Sequence, residues 1–165
     1  MTIYHLPLPS PLADYDYVEL TSERASWVPS DSGDSWAVVW LDLAKVKAFT
    51  IRGGQSWPQP LSNWPKDKLA FFKEAWDPLS GRRIGTLAHM PRISCDLYVR
   101  QPNMRSRIIA ATRRQPAPEP QATFTVRFGN GRHRTEYFLS QGVTEMPFET
   151  RSSKVALLLQ YCSSK

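Results

Sequence analysis

The stretch Thr123–Thr135 reads TFTVRFGNGRHRT. Phe124, Val126 and Phe128 alternate with Thr123, Thr125 and Arg127, which is the period of a strand with one buried face. Gly129-Asn130-Gly131 then breaks the strand, since such residues tolerate positive φ and tight turns. From Arg132 to Gln141 the pattern predicts a helix, and Gly142 is its stop. The helix opens on Arg132, His133 and Arg134. Backbone N–H groups at a helix N-terminus attract anions, and arginine adds a bidentate grip on phosphate. These residues point to a phosphate-binding corner. They also suit a plain strand–helix connection, with His133 packed near the helix start and Arg132 and Arg134 solvated.

Outward from this corner, Met146-Pro147-Phe148-Glu149 reads as a short strand, its proline placing it at a sheet edge. Ser152 or Ser153 can cap a last helix, on which Val155, Leu158, Leu159 and Cys162 share a face. On the other side, Arg100–Ala122 is basic, with Arg105, Arg107, Arg113 and Arg114, and ends in Pro116, Pro118 and Pro120. Ser106–Thr112 is expected to be a short strand, and the proline piece an exposed loop. Before it, Ile93–Val99 is a strand with Ile93, Cys95, Leu97 and Val99 on one face, which makes Cys95 a core thiol.

Further back, Lys66–Trp76 reads as a helix with Leu69, Phe72 and Trp76 on one face, capped near Asn63 and ended by Asp77-Pro78. The loop Trp57–Pro65 holds tryptophans that suit base stacking or core packing. Arg52-Gly53-Gly54-Gln55 is a glycine turn, only weakly a phosphate loop. Trp36–Leu43, WAVVWLDL, reads as a strand buried on both faces, with Asp42 near its end. Residues 1–35 form an acidic, proline-rich leader with a short strand at Tyr15–Leu20. The expected organisation is that leader followed by one mixed α/β domain of the α+β kind over residues 36–165.

A chain of 165 residues, 41% hydrophobic and 22% charged, suits one folded domain. No apolar run has the length of a bilayer span, and the N-terminus lacks the basic and apolar regions of a secretory signal. Two distant cysteines make no disulfide framework, so a reducing compartment is expected. His5, His89 and His133 show no zinc spacing. The net charge of +6 is unevenly distributed. Residues 1–44 hold seven acids against Arg24 alone, whereas residues 82–134 hold eleven arginines, no lysine and only Asp96 and Glu119. Such asymmetry suits a polyanion-facing surface, or a solvated basic face beside an acidic segment. On the first reading Arg105, Arg107, Arg113, Arg114 and Arg127 contact nucleic acid.

The segment Phe128–Glu149, FGNGRHRTEYFLSQGVTEMPFE, resembles the phosphate-binding box of the ParB/sulfiredoxin superfamily. That fold sets a Gly-x-His-Arg type motif between a strand and a helix, then a further strand entered through a stretch like Gly142–Pro147. WLDLAKV, residues 40–46, looks like the family's opening strand and helix. The box is most similar to that of plasmid fertility-inhibition proteins, including the oncogenic-suppression type. The resemblance implies a ParB/sulfiredoxin-like fold with a small mixed sheet flanked by helices. It also implies a bacterial cytoplasmic protein that blocks conjugative, type IV secretion DNA transfer near the coupling protein, through DNase or ATPase activity. ATP and a divalent cation, Mg or Mn, are the implied cofactors.

Residue by residue, the resemblance makes Gly131 the glycine that lets phosphate approach, with Gly129, Asn130 and Thr135 in the nucleotide-binding set. His133 and Arg134 contact phosphate, and Arg132 and Glu136 complete the catalytic set. Arg132 stands where sulfiredoxins keep their cysteine, so sulfiredoxin chemistry is not expected. Asn130 stands where related boxes have Asp, which weakens metal-assisted hydrolysis. Glu136 can substitute, or simply pair with Arg132 one turn away. Two alternatives follow: a non-catalytic module that inhibits by occupying a DNA or coupling-protein partner, and, last, an RNA-binding α/β domain using Trp and Arg.

Overall fold

A computed structural model describes residues 2–7, 17–22, 35–74 and 89–164. The fold is α+β. Strands β3 (Trp36–Asp42), β6 (Glu145–Arg151), β4 (Arg92–Arg100) and β5 (Gln121–Asn130) lie side by side in that order. The pairs β3/β6 and β4/β5 are antiparallel, and the two ribbons meet in parallel where Arg92 faces Glu149. A separate antiparallel pair joins β1 (Thr2–Pro7) to β2 (Tyr17–Ser22). Five α-helices accompany the strands among the described residues: α1 (Leu43–Arg52), α2 (Lys66–Glu74), α3 (Met104–Thr112), α4 (Arg132–Ser140) and α5 (Ser152–Cys162).

Asp42 turns β3 into α1. Its carboxylate accepts the Lys45 N–H at 2.9 Å, satisfying one of the orphan donors at a helix start. Leu43, Val46 and Thr50 form the buried stripe of α1. Helix α5 buries Leu158 and Cys162, and half-buried Val155, Leu157 and Tyr161 pack against the core. The Tyr161 ring stacks on Phe124 at 4.3 Å, and Phe49 of α1 meets Phe124 edge-on at 4.9 Å. Full burial of a side chain such as Phe124 contributes about 1.5–3 kcal/mol by removal from water. Leu6 and Leu20 belong to the same buried cluster as Leu41, Val126 and Phe148. The β1–β2 pair is further held by the Ser22 hydroxyl, which donates to buried Glu149 at 2.6 Å, and by the Met90 N–H bonded to the Thr21 carbonyl.

Several elements depart from the sequence expectations. Ser106–Thr112 is helical, part of α3, not a strand. The Asn103 side chain accepts the Ser106 N–H at 2.7 Å while the Ser106 hydroxyl bonds back to the Asn103 carbonyl. A short apolar run fits either period, and this cap selects the helix.

Strand β6 is interior rather than an edge. The Glu149 N–H points to the Pro91 carbonyl, so two residues earlier Pro147 turns its missing donor to that same side, before β4 begins to pair. Its ring costs the β3/β6 ladder nothing. Strand β3 is an edge and is buried on one face only: Val39 and Leu41 are inside, whereas Trp40 is exposed. Leu97 and Val99 are exposed although they alternate with buried Ile93 and Cys95, because the core ends midway along β4. Leu159 is exposed too. The leader strand lies at Tyr17–Ser22, paired with β1, which no sequence signal marked. Trp76 and Asp77-Pro78 lie outside the described residues, as do Tyr15 and Asp16.

Candidate functional site

Strand β5 runs through Gly129 and Asn130, so the turn is narrower than three residues. Asn130 pairs with Arg92 and Phe128 with Ile93, which leaves Gly129 as the extra residue of a bulge. The Asn130 side-chain oxygen accepts the Arg92 N–H at 2.8 Å and pins the strand end. Gly131 alone makes the turn. Its φ of 78° is left-handed, and it is the N-cap of α4 with no side-chain cap. A Cβ at Gly131 would lie 2.7 Å from the Cβ of Pro91, so both the backbone angle and the close approach of Pro91 demand glycine.

The first turn of α4 sorts its side chains. Arg132 is half-buried and its Nη1 lies 3.4 Å from the Ser56 hydroxyl. His133 is exposed, with its ring edge-on to Trp64 at 5.7 Å. Burial of that ring flank, then Lys68, then Arg132 hold the His133 pKa below its ordinary value of 6.5, so the imidazole is neutral at pH 7. Arg134 is buried at 8% exposure, and burial pushes its guanidinium pKa down to about 10, which leaves it charged at neutral pH. Thr135 is fully buried, and both its N–H and its hydroxyl bond to the Gly131 carbonyl.

Glu136 is buried at 3% exposure. One carboxylate oxygen accepts the Trp57 indole N–H at 2.5 Å and the Lys47 ammonium at 3.2 Å, and the other lies 3.4 Å from the Ser140 hydroxyl. The expected pairing of Glu136 with Arg132 is replaced by the pairing with Lys47 of α1.

The wall of the corner comes from the loop after α1. Gln55 places its side-chain amide against Phe128, accepting the N–H at 2.8 Å and donating to the carbonyl at 3.3 Å. Trp57 packs edge-on against Phe128 at 5.7 Å. Trp64 is buried, donates its indole N–H to the Gln59 carbonyl, and carries Lys68 over its ring at 3.9 Å. Trp64 therefore serves the core, and Trp57 holds the buried carboxylate. Gln55 was marked only as the end of a glycine turn, and Ser56, Lys47 and Lys68 carried no signal in the sequence, because nothing local relates residues 47–68 to the start of α4.

The structure brings together Gly129, Asn130, Gly131, Arg132, His133, Arg134, Thr135 and Glu136. It sets Arg105, Arg107, Arg113 and Arg114 apart: all are exposed, on α3 or the turn after it. Asn130 and Arg92 mark the corner end of the β4/β5 ribbon, and Arg100 with Gln121 the other. At ~3.3 Å per residue the two ends are roughly 26 Å apart. Arg127 lies on β5 nearer the corner, exposed, 3.2 Å from the Tyr98 hydroxyl and 3.9 Å from Asp96.

The cationic, uncapped start of α4 fits a phosphate group. A divalent cation held by the chain does not fit. The Glu136 oxygens already take Trp57, Lys47 and Ser140, and the Asn130 oxygen takes the Arg92 N–H. Among the described residues, His, Cys, Asp and Glu side chains form no group of three able to hold a metal ion. Nor, among them, is any helix long and apolar enough to cross a membrane.

No family model and no curated protein matches the chain. Among solved structures, the chain is similar to the crystal structure of an Oncogenic Suppression Activity Protein, a plasmid fertility inhibition factor, in its gold(I) cyanide derivative. The TM-score is 0.45 at 13% sequence identity, over 99% of this chain and 70% of that one.

Proposed function

We propose that the start of α4 binds the phosphate groups of a nucleotide such as ATP, or of DNA. We further propose that the chain is a cytoplasmic fertility-inhibition factor of ParB/sulfiredoxin-like fold that blocks conjugative DNA transfer, near the coupling protein. The second part rests on the resemblance of the box Gly131–Arg134. The phosphate reading rests on one geometric observation: a helix start opened by left-handed Gly131, with no side-chain cap, lies beside Arg132, His133 and Lys68. Backbone N–H groups and the helix dipole favour an anion there, and Arg132 and Lys68 add full positive charge.

A hydrolytic role is favoured by the neutral state of His133. A neutral imidazole can take a proton from the water that attacks phosphorus as the P–O bond to the leaving ADP or DNA strand breaks, while Arg132 stabilises the charge growing on the phosphoryl oxygens. The test is binding of a fluorescent ATP analogue and a DNA duplex by the purified protein, alongside ATP turnover and plasmid nicking. Arg132→Ala is the informative variant, because it is only half-buried, whereas Arg134→Ala would also empty a buried position. Binding is expected to weaken about tenfold or more in Arg132→Ala, equivalent to ~1.4 kcal/mol or more. If turnover disappears in His133→Ala while binding persists, the site is hydrolytic. Binding without turnover leaves a module that inhibits by occupancy, and equal binding by the parent and Arg132→Ala removes the phosphate site.

A further inference from the structure

Among the described residues, the end of the β4/β5 ribbon remote from the corner is an arm left largely uncovered. Leu97 to Arg100 are all exposed, and Ala110 is the buried residue of α3. Large exposed apolar side chains collect here: Leu97, Tyr98 and Val99 on β4, then Met104 at 78%, Ile108 at 57% and Ile109 on α3. Elsewhere among the described residues they occur singly, as Trp40, Ile51 and Leu159. Scattered apolar residues need no explanation, but a concentration marks a surface that another molecule covers. From Leu97 to Pro118 the chain holds Arg100, Arg105, Arg107, Arg113 and Arg114, with no lysine and no acid.

We propose that this arm docks on a partner protein whose surface sets carboxylates around an apolar patch. Met104 and Ile108 are one helical turn apart, as are Arg105 and Ile109, so an apolar row runs beside a row that mixes arginine with isoleucine along α3. Arginine, methionine and tyrosine in place of lysine is the composition of protein–protein interfaces. Each arginine can lay its apolar stem beside the isoleucines and fork its guanidinium onto a carboxylate. Nucleic acid phosphates would match Arg105, Arg107, Arg113 and Arg114 but leave Met104, Ile108 and Ile109 in water. The arm therefore carries these arginines for protein contact, independently of the phosphate corner.

The test uses the full chain and four probes: a labelled amphipathic helix of leucine and glutamate, the same residues in scrambled order, a DNA duplex, and phosphatidylglycerol-containing vesicles. Two variants on exposed positions keep the fold, checked by an unchanged melting temperature: Ile108→Ser with Ile109→Ser, and Arg105→Ser with Arg107→Ser. The parent is expected to prefer the amphipathic peptide over the scrambled one, and each double variant to weaken that binding about tenfold. Absence of peptide binding, or equal binding of both peptides, overturns the proposal. So does DNA binding that the arginine pair abolishes and the isoleucine pair leaves intact, which would make the arm a nucleic-acid surface. Vesicle binding lost with the isoleucine pair while peptide binding is unaffected would make it a membrane surface instead.

Discussion

Gly131 and Gly129 sit two residues apart and differ in what they tolerate. Gly131 has φ of 78° and no room for a Cβ beside Pro91, whereas a Cβ at Gly129 would find its nearest neighbour at an ordinary 3.6 Å. Gly131→Ala is expected to cost about 1–3 kcal/mol, and Gly129→Ala about 0.5 kcal/mol or less. Urea midpoints at constant m-value measure both; equal losses would mean that the bulge, not the turn, is the constraint. At His133 the lowered pKa sets a sign. The unfolded chain takes this proton near pH 6.5, and the native state takes it lower. The unfolded state thus binds more protons as pH falls, and His133 draws stability down as pH drops through that range. A bound phosphate offsets the repulsion from Lys68 and Arg132, so it should raise the His133 pKa and bind more tightly at lower pH. An NMR titration of the His133 ring with and without phosphate checks this. An unshifted ring would place the anion elsewhere.

Strand β5 borders the sheet on one side, and an uncovered edge is a template for pairing with other chains. The Gln55 amide acts on that edge as one residue of a missing strand, exchanging both bonds with Phe128. Gln55→Ala should cost about 0.5–1.5 kcal/mol, within the range of a typical hydrogen bond, and speed hydrogen exchange at the Phe128 amide; unchanged exchange would mean that water replaces Gln55 without loss. Such contacts also show what was legible beforehand. Elements with a full period and clear end signals, such as β5, α4 and β4, follow from the residues themselves, whereas α1 is implied only by the resemblance and Leu43, its first residue, reads as strand. The pattern misleads where it is short or where neighbours decide the outcome. The run Ile108–Ala111 fits a strand or a helix until Asn103 caps it, and Pro147 reads as an edge residue until it is known that β4 pairs with β6 only from Glu149 onward. The basic box at the start of α4 was visible in the sequence, but its wall was not, since the contacts of Gln55 with Phe128 and Trp57 with Glu136 span more than seventy residues.

For the molecule as a whole, both thiols report on the core. Burial pushes Cys95 up to about 11 and Cys162 up to about 12, so neither is a thiolate near pH 8, and both are buried. Thiol labelling should wait for global unfolding and then proceed at both cysteines together; early labelling of one would reveal a local opening beside it. The largest consequence of the architecture is the separation of its two charged ends. The corner at Gly131 and the arm at α3 lie at opposite ends of the β4/β5 ribbon, ends that are roughly 26 Å apart at ~3.3 Å per residue, and no charged side chain of α3 forms an ion pair with the corner among the described residues. Sites this far apart with no common partner combine additively, within about 0.3–0.5 kcal/mol. Arg132→Ala should therefore weaken phosphate binding equally whether or not Ile108→Ser and Ile109→Ser are present, and the isoleucine pair should weaken peptide binding equally in either background. Fluorescence titrations of the four combinations measure the coupling. A coupling well above that range would mean that the ribbon transmits strain from one end to the other, so that a phosphate bound at the corner alters what the arm can hold.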